Sequence, residues 1–206
     1  MASPEGYESD KDLVWGWYEW RRMQVLNAEP NAGHFAIAQL ADYVERMTIV
    51  TQNVDDLHER ADSRGIIHLH GSLHHPRCFT CARPYEFPQD MPNLAIEGER
   101  IKPPRCEHCN GHIRPGVVWF GESLPEMAWE QAQEAAIECD VIFSIGTSSL
   151  VWPAAKLPDM AALRGAKIVQ INPDPTPLDK LAHYNFRGKA GEILPALIDG
   201  LKNLLG

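Results

Sequence analysis

The stretch "DVIFSIGTS", residues 140–148, contains the pattern from which the fold is predicted. A short apolar run ends in Gly, Thr and Ser, and "AKIVQINPD" at residues 166–174 repeats the arrangement with Asn, Pro and Asp. Apolar runs of this length suit buried strands, and helical stretches accompany both of them. Because buried strands that alternate with helices indicate a parallel sheet, we predict an α/β fold with a Rossmann-like parallel sheet.

Further strand and helix signals extend this pattern along the chain. "MTIVTQN", residues 47–53, is short and rich in β-branched side chains, which favours another buried strand. Asn31 is a candidate N-cap for a helix over residues 32–46. The other predicted helices are residues 12–26, 125–138, 153–164 and 191–205.

The composition argues against two classes of partner. The 206 residues carry a formal net charge of −9, which disfavours general affinity for nucleic acid or anionic lipid. No apolar run approaches the ~20 residues of a membrane-spanning helix. Residues 1–12 lack the basic-then-apolar pattern of a signal peptide. We therefore expect a cytoplasmic protein with reduced thiols, no membrane and no nucleic acid partner.

A loop-rich insert over residues 72–115 contains two C-x-x-C pairs separated by 24 residues. Two such pairs present four thiolates tetrahedrally, as in structural zinc sites, whereas the alternative is two unconnected pairs of buried thiols. A structural zinc can supply ~10–16 kcal/mol of apparent binding free energy, so we expect the metal to fold this small zinc ribbon. The predicted ligands are Cys78, Cys81, Cys106 and Cys109.

The residues around this cluster are expected to have other roles. Four thiolates fill a tetrahedral zinc site, so imidazole ligands and catalytic zinc are not expected. Gly111, directly after the second pair, is expected to help a tight turn. Cys139 precedes a predicted buried strand and is expected to be a core thiol. The histidines expected to lie on the surface or beside the metal ligands are His74, His75, His108 and His112.

Several longer motifs occur along the chain, from about Pro4 to the C-terminus. They are "TQNVDDLHERA", "HGSL", the two C-x-x-C pairs, "RPGVVWFGESLP", "IGTSS", "INPD" and "GKAGEILP". In order and spacing these motifs together resemble the sirtuin family, most closely its bacterial class III group. The resemblance implies NAD-dependent deacylation of protein lysines, with release of nicotinamide and transfer of the acyl group to ADP-ribose.

The resemblance also implies a domain organisation. Residues 1–206 would form one sirtuin-type catalytic domain that lacks the family's N-terminal strand and Gly-rich loop. The Rossmann-like part would comprise residues 31–72 and 117–206, and the small zinc-bearing domain residues 1–30 and 73–116.

Two departures from the family motifs leave alternatives open. Asp62 stands where the family usually has Gly, a replacement that is tolerable if the backbone there is in the right-handed or the left-handed helical region. The absent Gly-rich loop allows that Met1 is an internal methionine of an active deacylase. It equally allows a catalytically impaired short form that acts as a zinc-bearing binding module. A nucleic-acid-binding zinc ribbon is a third reading, disfavoured by the acidic charge.

The family motif assigns the general base to His70, immediately before Gly-Ser-Leu. Imidazole exchanges protons near neutral pH and suits removal of a proton from a ribose hydroxyl. His68 would share a face with His70 in an extended segment, so geometry alone does not separate them. The alternative for either side chain is a hydrogen-bonded structural histidine.

The cofactor residues follow the predicted strands, where parallel sheets bind ligands. Amide, carboxylate and hydroxyl groups there could hold the ribose hydroxyls, the carboxamide and the phosphates of NAD. Without the resemblance, residues 52–55 would be read as caps of a strand-to-helix turn. The residues implied are Gln52, Asn53, Val54, Asp55, Gly146, Thr147, Ser148, Asn172, Pro173, Asp174 and Ala190.

The substrate, an acylated lysine of a protein, would meet two sets of residues. Tyr18 and Arg21 stand at i and i+3 of the first predicted helix, where a guanidinium and a phenol could grip a carboxylate. This implies succinyl or malonyl groups besides acetyl, and the alternative is a solvated helix face. The strand "VVWFGE", residues 117–122, would pair with the substrate backbone while Val117, Trp119 and Phe120 line the tunnel, although it also suits an ordinary core strand.

Overall fold

The computed structural model describes residues 1–88 and 96–205, which fall into two compact units. The first, unit 1, comprises residues 1–28, 51–56 and 68–126, and the second, unit 2, comprises residues 29–50, 57–67 and 127–206. The predicted sheet domain includes residues 51–56, 68–72 and 117–126, which the structure places in unit 1.

Helices and strands alternate along most of the chain. The helices are α1 (Pro4–Ser9), α2 (Lys11–Asn27), α3 (Ala32–Leu40), α4 (Leu57–Arg60), α5 (Glu126–Glu138), α6 (Leu157–Leu163) and α7 (Ala190–Leu205). The strands are β1 (Ile49–Thr51), β2 (Ile66–His68), β3 (Arg77–Cys78), β4 (Ile113–Arg114), β5 (Val141–Ile145), β6 (Lys167–Ile171) and β7 (Tyr184–Phe186). Short 3₁₀ helices occupy Ala41–Tyr43, Ala154–Lys156 and Pro177–Lys180.

Unit 2 contains the predicted parallel sheet, with strands in the order β5-β6-β7. All five residues of β5 pair in parallel with β6, from Val141 opposite Lys167 to Ile145 opposite Ile171. Strand β7 pairs in parallel on the other side of β6. In the core, Ile171 packs with Leu194 and Ile198 of α7, so the central strand is covered by an amphipathic helix. The two strands predicted from "DVIFSIGTS" and "AKIVQINPD" are confirmed.

Some predicted elements are shorter than the sequence pattern suggests. Helix α3 begins after Asn31, whose side chain accepts hydrogen bonds from the Gly33 and His34 amides, which confirms the predicted N-cap. It ends at Leu40 rather than residue 46, and after one 3₁₀ turn Val44 is extended. Strand β1 is confined to Ile49–Thr51 and pairs with β2 in a separate two-stranded sheet.

The remaining helices lie close to their predicted bounds. Helix α2 extends one residue beyond each end of the prediction. The predicted helix at 153–164 begins with a 3₁₀ turn, and α6 then starts with Pro158 in its first turn, where the missing amide proton costs no hydrogen bond. Helix α1 was outside the predictions because its six residues are too few for an apolar repeat. Among the described helices, none is long and apolar enough to span a bilayer.

Asp62, the departure from the family's Gly, has a φ of 62°. This is the left-handed region that Gly normally occupies and that Asp enters more easily than most residues. The expectation that the substitution is tolerated there is confirmed.

Candidate active site and metal centre

The four predicted zinc ligands converge in unit 1. Their Sγ atoms all lie within 4.8 Å of one another. Cys78 and Cys109 are 3.4 Å apart, and Cys81 and Cys106 are 3.7 Å apart, measured between Sγ atoms. A tetrahedral zinc with Zn–S bonds of ~2.3 Å would separate its sulfurs by ~3.8 Å. The four thiols therefore fit a structural zinc ion, and two unconnected thiol pairs are excluded.

The two cysteine pairs are held by nearly identical backbone turns. The amide of Ala82 donates to the Cys78 carbonyl at 3.0 Å, and the amide of Asn110 donates to the Cys106 carbonyl at 2.8 Å. Ala82 and Asn110 have φ values of 58° and 57°. The left-handed residue of the second turn is thus Asn110, and Gly111 takes part in the same turn, since its carbonyl accepts from the Cys106 amide at 2.8 Å.

Glycine at position 111 is also required for close packing. A Cβ at this position would lie 2.6 Å from Thr80 Oγ1 and 3.1 Å from Cys78 Sγ. Burial opposes ionisation of Cys78, but hydrogen bonds from the Cys81 and Thr80 amides outweigh it and lower the Cys78 pKa to about 7. A thiolate at this position is the form that binds zinc.

The other candidate residues near the metal centre are not part of the sulfur cluster. His75 and His108 are exposed, as expected, and the candidate metal group found among the described residues contains only cysteines. His74 Nε2 lies 3.5 Å from Asp56 Oδ1, and burial lowers the His74 pKa.

Cys139 is only partly buried, with its Sγ donating to the Ala136 carbonyl at 3.4 Å, so its assignment as a core thiol was too strong.

The ring of His70 is oriented by the end of β1. Its Nδ1 lies 3.0 Å from the backbone carbonyl oxygen of Gln52. A carbonyl oxygen can only accept, so Nδ1 carries the hydrogen in this contact. In the neutral ring Nε2 is then the lone-pair nitrogen, which is the form a general base needs. His68 lies in β2, whereas His70 lies in the turn after it, so the two do not share one extended strand.

The segment after β1 is fixed to unit 1 by its backbone. The Asn53 amide donates to Thr51 Oγ1 at 3.1 Å, which turns the chain out of the strand. The Val54 carbonyl accepts from the Leu73 amide at 2.9 Å, and its side chain packs against the unit 1 core. Residues 52–55 therefore form an ordered turn beside His70 rather than a free loop.

Unit 2 holds the second set of predicted cofactor residues at the carboxyl ends of β5 and β6. Asn172 Nδ2 donates to the Thr147 carbonyl at 2.8 Å, which joins the two strand ends directly. Asn172 Oδ1 in turn accepts from the Asp174 amide at 3.1 Å. Gly146 has a φ of 61°, and a Cβ there would meet no atom within 4 Å. Ala190 is the first residue of α7.

Two features of these strand ends were missed from the sequence. Ser149, in the same "GTSS" motif, has a φ of 57° and a buried hydroxyl without a hydrogen-bond partner among the described residues. Behind the "INPD" turn, Gln170 Nε2 donates to Asp179 Oδ1 at 2.5 Å, and Arg187 donates to the Asp174 carbonyl at 3.5 Å and to the Asp179 carboxylate. Sequence patterns give no signal for this network, since its members are separated along the chain.

Tyr18 and Arg21 both lie on α2, as predicted, but their environments differ. Tyr18 is 7% exposed, and Arg21 is exposed with its guanidinium 5.6 Å from the centre of the Trp17 ring. Burial raises the Tyr18 pKa, while the Trp119 hydrogen bond and the charges of Arg114 and Arg21 act in the opposite direction. The side-chain charge of Arg21 therefore acts on the Tyr18 hydroxyl.

Residues 117–122 do not form the predicted strand, because Phe120 and Gly121 lie in a turn and Gly121 has a φ of 89°. Their only bridge within the described residues joins Val117 to Gly71. The Val118 amide donates to the His70 carbonyl at 2.8 Å, and the Trp119 amide donates to Glu122 Oε2 at 2.8 Å. Val117 and Trp119 are buried, whereas Phe120 is 77% exposed. The predicted strand is thus replaced by a segment that both backbone and side-chain hydrogen bonds hold in place.

The predicted site residues fall into both units. Unit 1 contains His70, residues 52–55, the acyl-lysine residues and the cysteines, and unit 2 contains the residues of β5, β6 and α7. Taken together, the fold and these groups define an α/β protein with polar strand ends of the dinucleotide-binding kind and a four-cysteine zinc centre.

Comparisons with known proteins narrow this class. A model of the Sir2 family matches residues 1–153. The NAD-dependent protein deacylase of Methylococcus capsulatus is 58% identical over 202 residues, which cover 98% of this chain and 79% of that protein. The solved structure of a Sir2 homologue in complex with NAD is 44% identical, with a TM-score of 0.91 over 100% of this chain and 77% of its own.

Another solved structure is Sir2Af2 bound to a myristoylated histone peptide. It is 36% identical and covers 99% of this chain and 85% of its own, with a TM-score of 0.83. The family model covers well over half of the chain, and the identity to the Methylococcus relative is high. The chain therefore belongs to the Sir2 family.

Proposed function

We propose that this chain is an NAD-dependent protein deacylase that transfers acyl groups from protein lysines to ADP-ribose, with succinyl and malonyl groups among its substrates. The observation that carries the proposal is the contact between His70 Nδ1 and the Gln52 carbonyl. It favours the tautomer whose Nε2 can accept a proton. The relatives named above, and the NAD and acylated-peptide complexes, support the same reaction.

NAD would supply the ribose hydroxyl that becomes the acyl acceptor. The residues of this chain fit such a ligand, because Ser149 has a buried hydroxyl with no partner among the described residues, next to the open backbone of Gly146. We assign the phosphates or ribose to the "GTSS" turn and the adenine ribose to Asn172 and Asp174. His70 would accept the proton of the ribose hydroxyl, a contribution of ~10²–10⁴ in rate.

Zinc has a structural role in this proposal. The four sulfurs complete a tetrahedral site, so no position remains open for a substrate or water. The free cysteines of the site also fit a reducing compartment, and we propose a cytoplasmic location.

The acyl class is assigned to Tyr18 and Arg21. Arg21 is exposed and follows Tyr18 by three residues on α2, so the two side chains share a helix face and both could bind one carboxylate. A neutral acetyl group would leave the guanidinium without an anionic partner. We therefore propose a preference for acidic acyl groups, with acetyl as a poorer substrate.

The test compares kcat/KM for one peptide carrying either succinyl- or acetyl-lysine. We expect His70→Ala to lose both activities by ~10²–10⁴-fold. Arg21→Met should lose succinyl activity by roughly 10- to 100-fold and keep most acetyl activity, since a hydrogen-bonded charge is removed. Arg46→Met is the matched control, because Arg46 is an exposed arginine paired with Glu138 in unit 2. Equal losses of both activities in Arg21→Met would contradict the acidic-acyl assignment.

The same measurements separate the active enzyme from the catalytically impaired alternative. The chain spans 79% of the length of its Methylococcus relative. Turnover by the 206-residue chain, together with saturable binding of NAD, would exclude the impaired form. Peptide binding without NAD binding or turnover would support a zinc-bearing binding module instead.

A further inference from the structure

Tyr18 makes one hydrogen bond that limits what its hydroxyl can do. Trp119 Nε1 lies 2.8 Å from the Tyr18 hydroxyl oxygen, and both side chains are buried, with 2% and 7% exposure. An indole nitrogen donates and cannot accept, so the Tyr18 oxygen is the acceptor in this contact. The hydroxyl hydrogen of Tyr18 must then point to a different atom, and no acceptor for it is found among the described residues.

Trp119 is itself held in place from two directions. The guanidinium carbon of Arg114 lies 3.5 Å from the centre of the Trp119 ring, close enough for a strong cation–π contact. Arg114 is buried, with Nη2 donating to Glu122 Oε2 and to the Val117 carbonyl, both at 2.9 Å. Since Glu122 Oε2 also accepts from the Trp119 amide, backbone and ring of Trp119 are both fixed.

Arg114 and Glu122 therefore act on the Tyr18 hydroxyl indirectly, because they fix the position of Trp119. The orientation of the indole ring determines the direction of its N–H bond, and that direction determines which lone pair of the Tyr18 oxygen is occupied. A phenol has an ordinary pKa of ~10, so Tyr18 keeps its proton at neutral pH and remains a hydrogen-bond donor.

We propose that Trp119 is a positioning residue for acyl selectivity, which makes the Tyr18 hydroxyl a donor aimed at an anionic acyl terminus. The inference rests on the proposed acidic-acyl function of Tyr18 and Arg21. A succinyl or malonyl carboxylate accepts such a donor in a charge-assisted hydrogen bond. A methyl group cannot accept it, so acetyl-lysine gains nothing from this arrangement.

The first test examines the hydrogen bond alone, by NMR of the indole N–H groups. The chain has six tryptophans, and the Trp119 signal is assigned as the one lost in Trp119→Phe. In Tyr18→Phe the Trp119 indole proton should shift upfield, because its acceptor is gone. An unmoved Trp119 signal would overturn the positioning role and leave the proposed deacylase function intact.

The second test measures peptide binding to the 206-residue chain, so it does not depend on turnover. The quantity compared is the ratio of the dissociation constants for acetyl- and succinyl-lysine peptides of one sequence. We expect Tyr18→Phe to lower this ratio by roughly tenfold, and Trp119→Phe by roughly threefold or more. The double variant should lose no more than Tyr18→Phe alone, since both changes remove one donor geometry.

Trp15→Phe is the matched control for loss of a buried indole. Trp15 is 1% exposed and packs with Ile113 in the zinc-bearing core, a cluster that includes neither Tyr18 nor Trp119. This variant should lower the melting temperature without changing the selectivity ratio. The inference would be overturned if the reductions of the selectivity ratio in Tyr18→Phe and Trp119→Phe were additive in the double variant. It would also be overturned if Trp119→Phe kept the selectivity ratio of the parent chain. Equal binding of both peptides by the parent chain, unchanged in Arg21→Met, would instead refute the acidic-acyl assignment and this inference with it.

Discussion

The four-cysteine module of unit 1 and the three-stranded sheet of unit 2 differ in what holds them together. The module has two-residue strands, β3 and β4, and a core cluster that includes two of its own cysteines. The sheet has five paired residues between β5 and β6 and an apolar core formed with α3 and α7. One region depends on a few strong metal bonds, and the other on many weak apolar contacts.

The two regions also differ in where left-handed residues lie. Ala82 and Asn110 adopt positive φ values beside the cysteines, where zinc–thiolate bonds would hold the turns closed, whereas Ser149 and Asp62 of unit 2 lie outside the paired strands. In β6, four of five residues are buried, and residues 169–171 are paired on both sides of the strand. Turns that are closed by bonds to one metal ion can include irregular backbone, whereas a sheet that is stabilised by many weak contacts requires regularly paired strands.

Removal of zinc should cause the largest loss of stability among the changes considered, and this loss should occur in unit 1. A structural zinc supplies ~10–16 kcal/mol of apparent binding free energy, more than a small domain can lose. Cys106→Ser or a chelator should abolish hydrogen-exchange protection of the Phe79 and Ile113 amides. The β6 amides should lose much less protection. Equal protection of the β3–β4 turns with and without zinc would contradict the assignment of the metal as the main stabiliser.

The reverse experiment weakens the sheet. Ile171 is fully buried in β6, and Ile171→Ala should lower the free energy of unfolding by about 2–5 kcal/mol through lost burial and the remaining cavity. Urea unfolding measures the loss, and the zinc content of the purified variant should stay at one ion per chain. Loss of zinc at the same urea concentration as loss of the sheet would show that the two regions unfold as one.

The smallest effect concerns the polar network behind the "INPD" turn. The hydrogen bond from Arg187, followed by that from the Thr176 amide, lowers the Asp179 pKa below its usual range. A carboxylate with a lowered folded-state pKa adds stability above its unfolded pKa of ~3.9, and this stability is lost as the pH falls through the lower folded value. Asp179→Asn should therefore weaken protection of the β6 amides at pH 7.

The pH dependence provides the check on this assignment. The difference in β6 protection between the parent chain and Asp179→Asn should shrink as the pH falls below the unfolded pKa of ~3.9 and then through the lower folded pKa, where the parent carboxylate becomes protonated. Protection of β6 reports on the sheet and not on the zinc turns, which release their metal in acid. A difference that is the same at pH 7 and at pH 3 would contradict a charge-based role for Asp179.

Sequence patterns predicted the elements whose signal is local. The strands at residues 141–145 and 167–171, the cap at Asn31 and the C-x-x-C pairs were all recognisable, because each depends on neighbours within a few residues. Bounds were less accurate where two signals competed. The helix predicted to residue 46 ended at Leu40, and Val44 is extended. The strand predicted over residues 47–53 ended at Thr51, whose hydroxyl oxygen accepts a hydrogen bond from the Asn53 amide.

The sequence by itself determined the parallel sheet, the zinc ligands and the family. Apolar periodicity, cysteine spacing and contiguous motifs are all patterns of residues that lie close together in the sequence. The tertiary structure decided the His70 tautomer, the hydrogen bond from Trp119 to the Tyr18 hydroxyl and the network of Gln170, Asp179 and Arg187. Trp119 and Tyr18 are 101 residues apart, and no local pattern relates them. A hydrogen bond requires its two atoms within about 3 Å, and only the folded backbone brings distant residues to that distance.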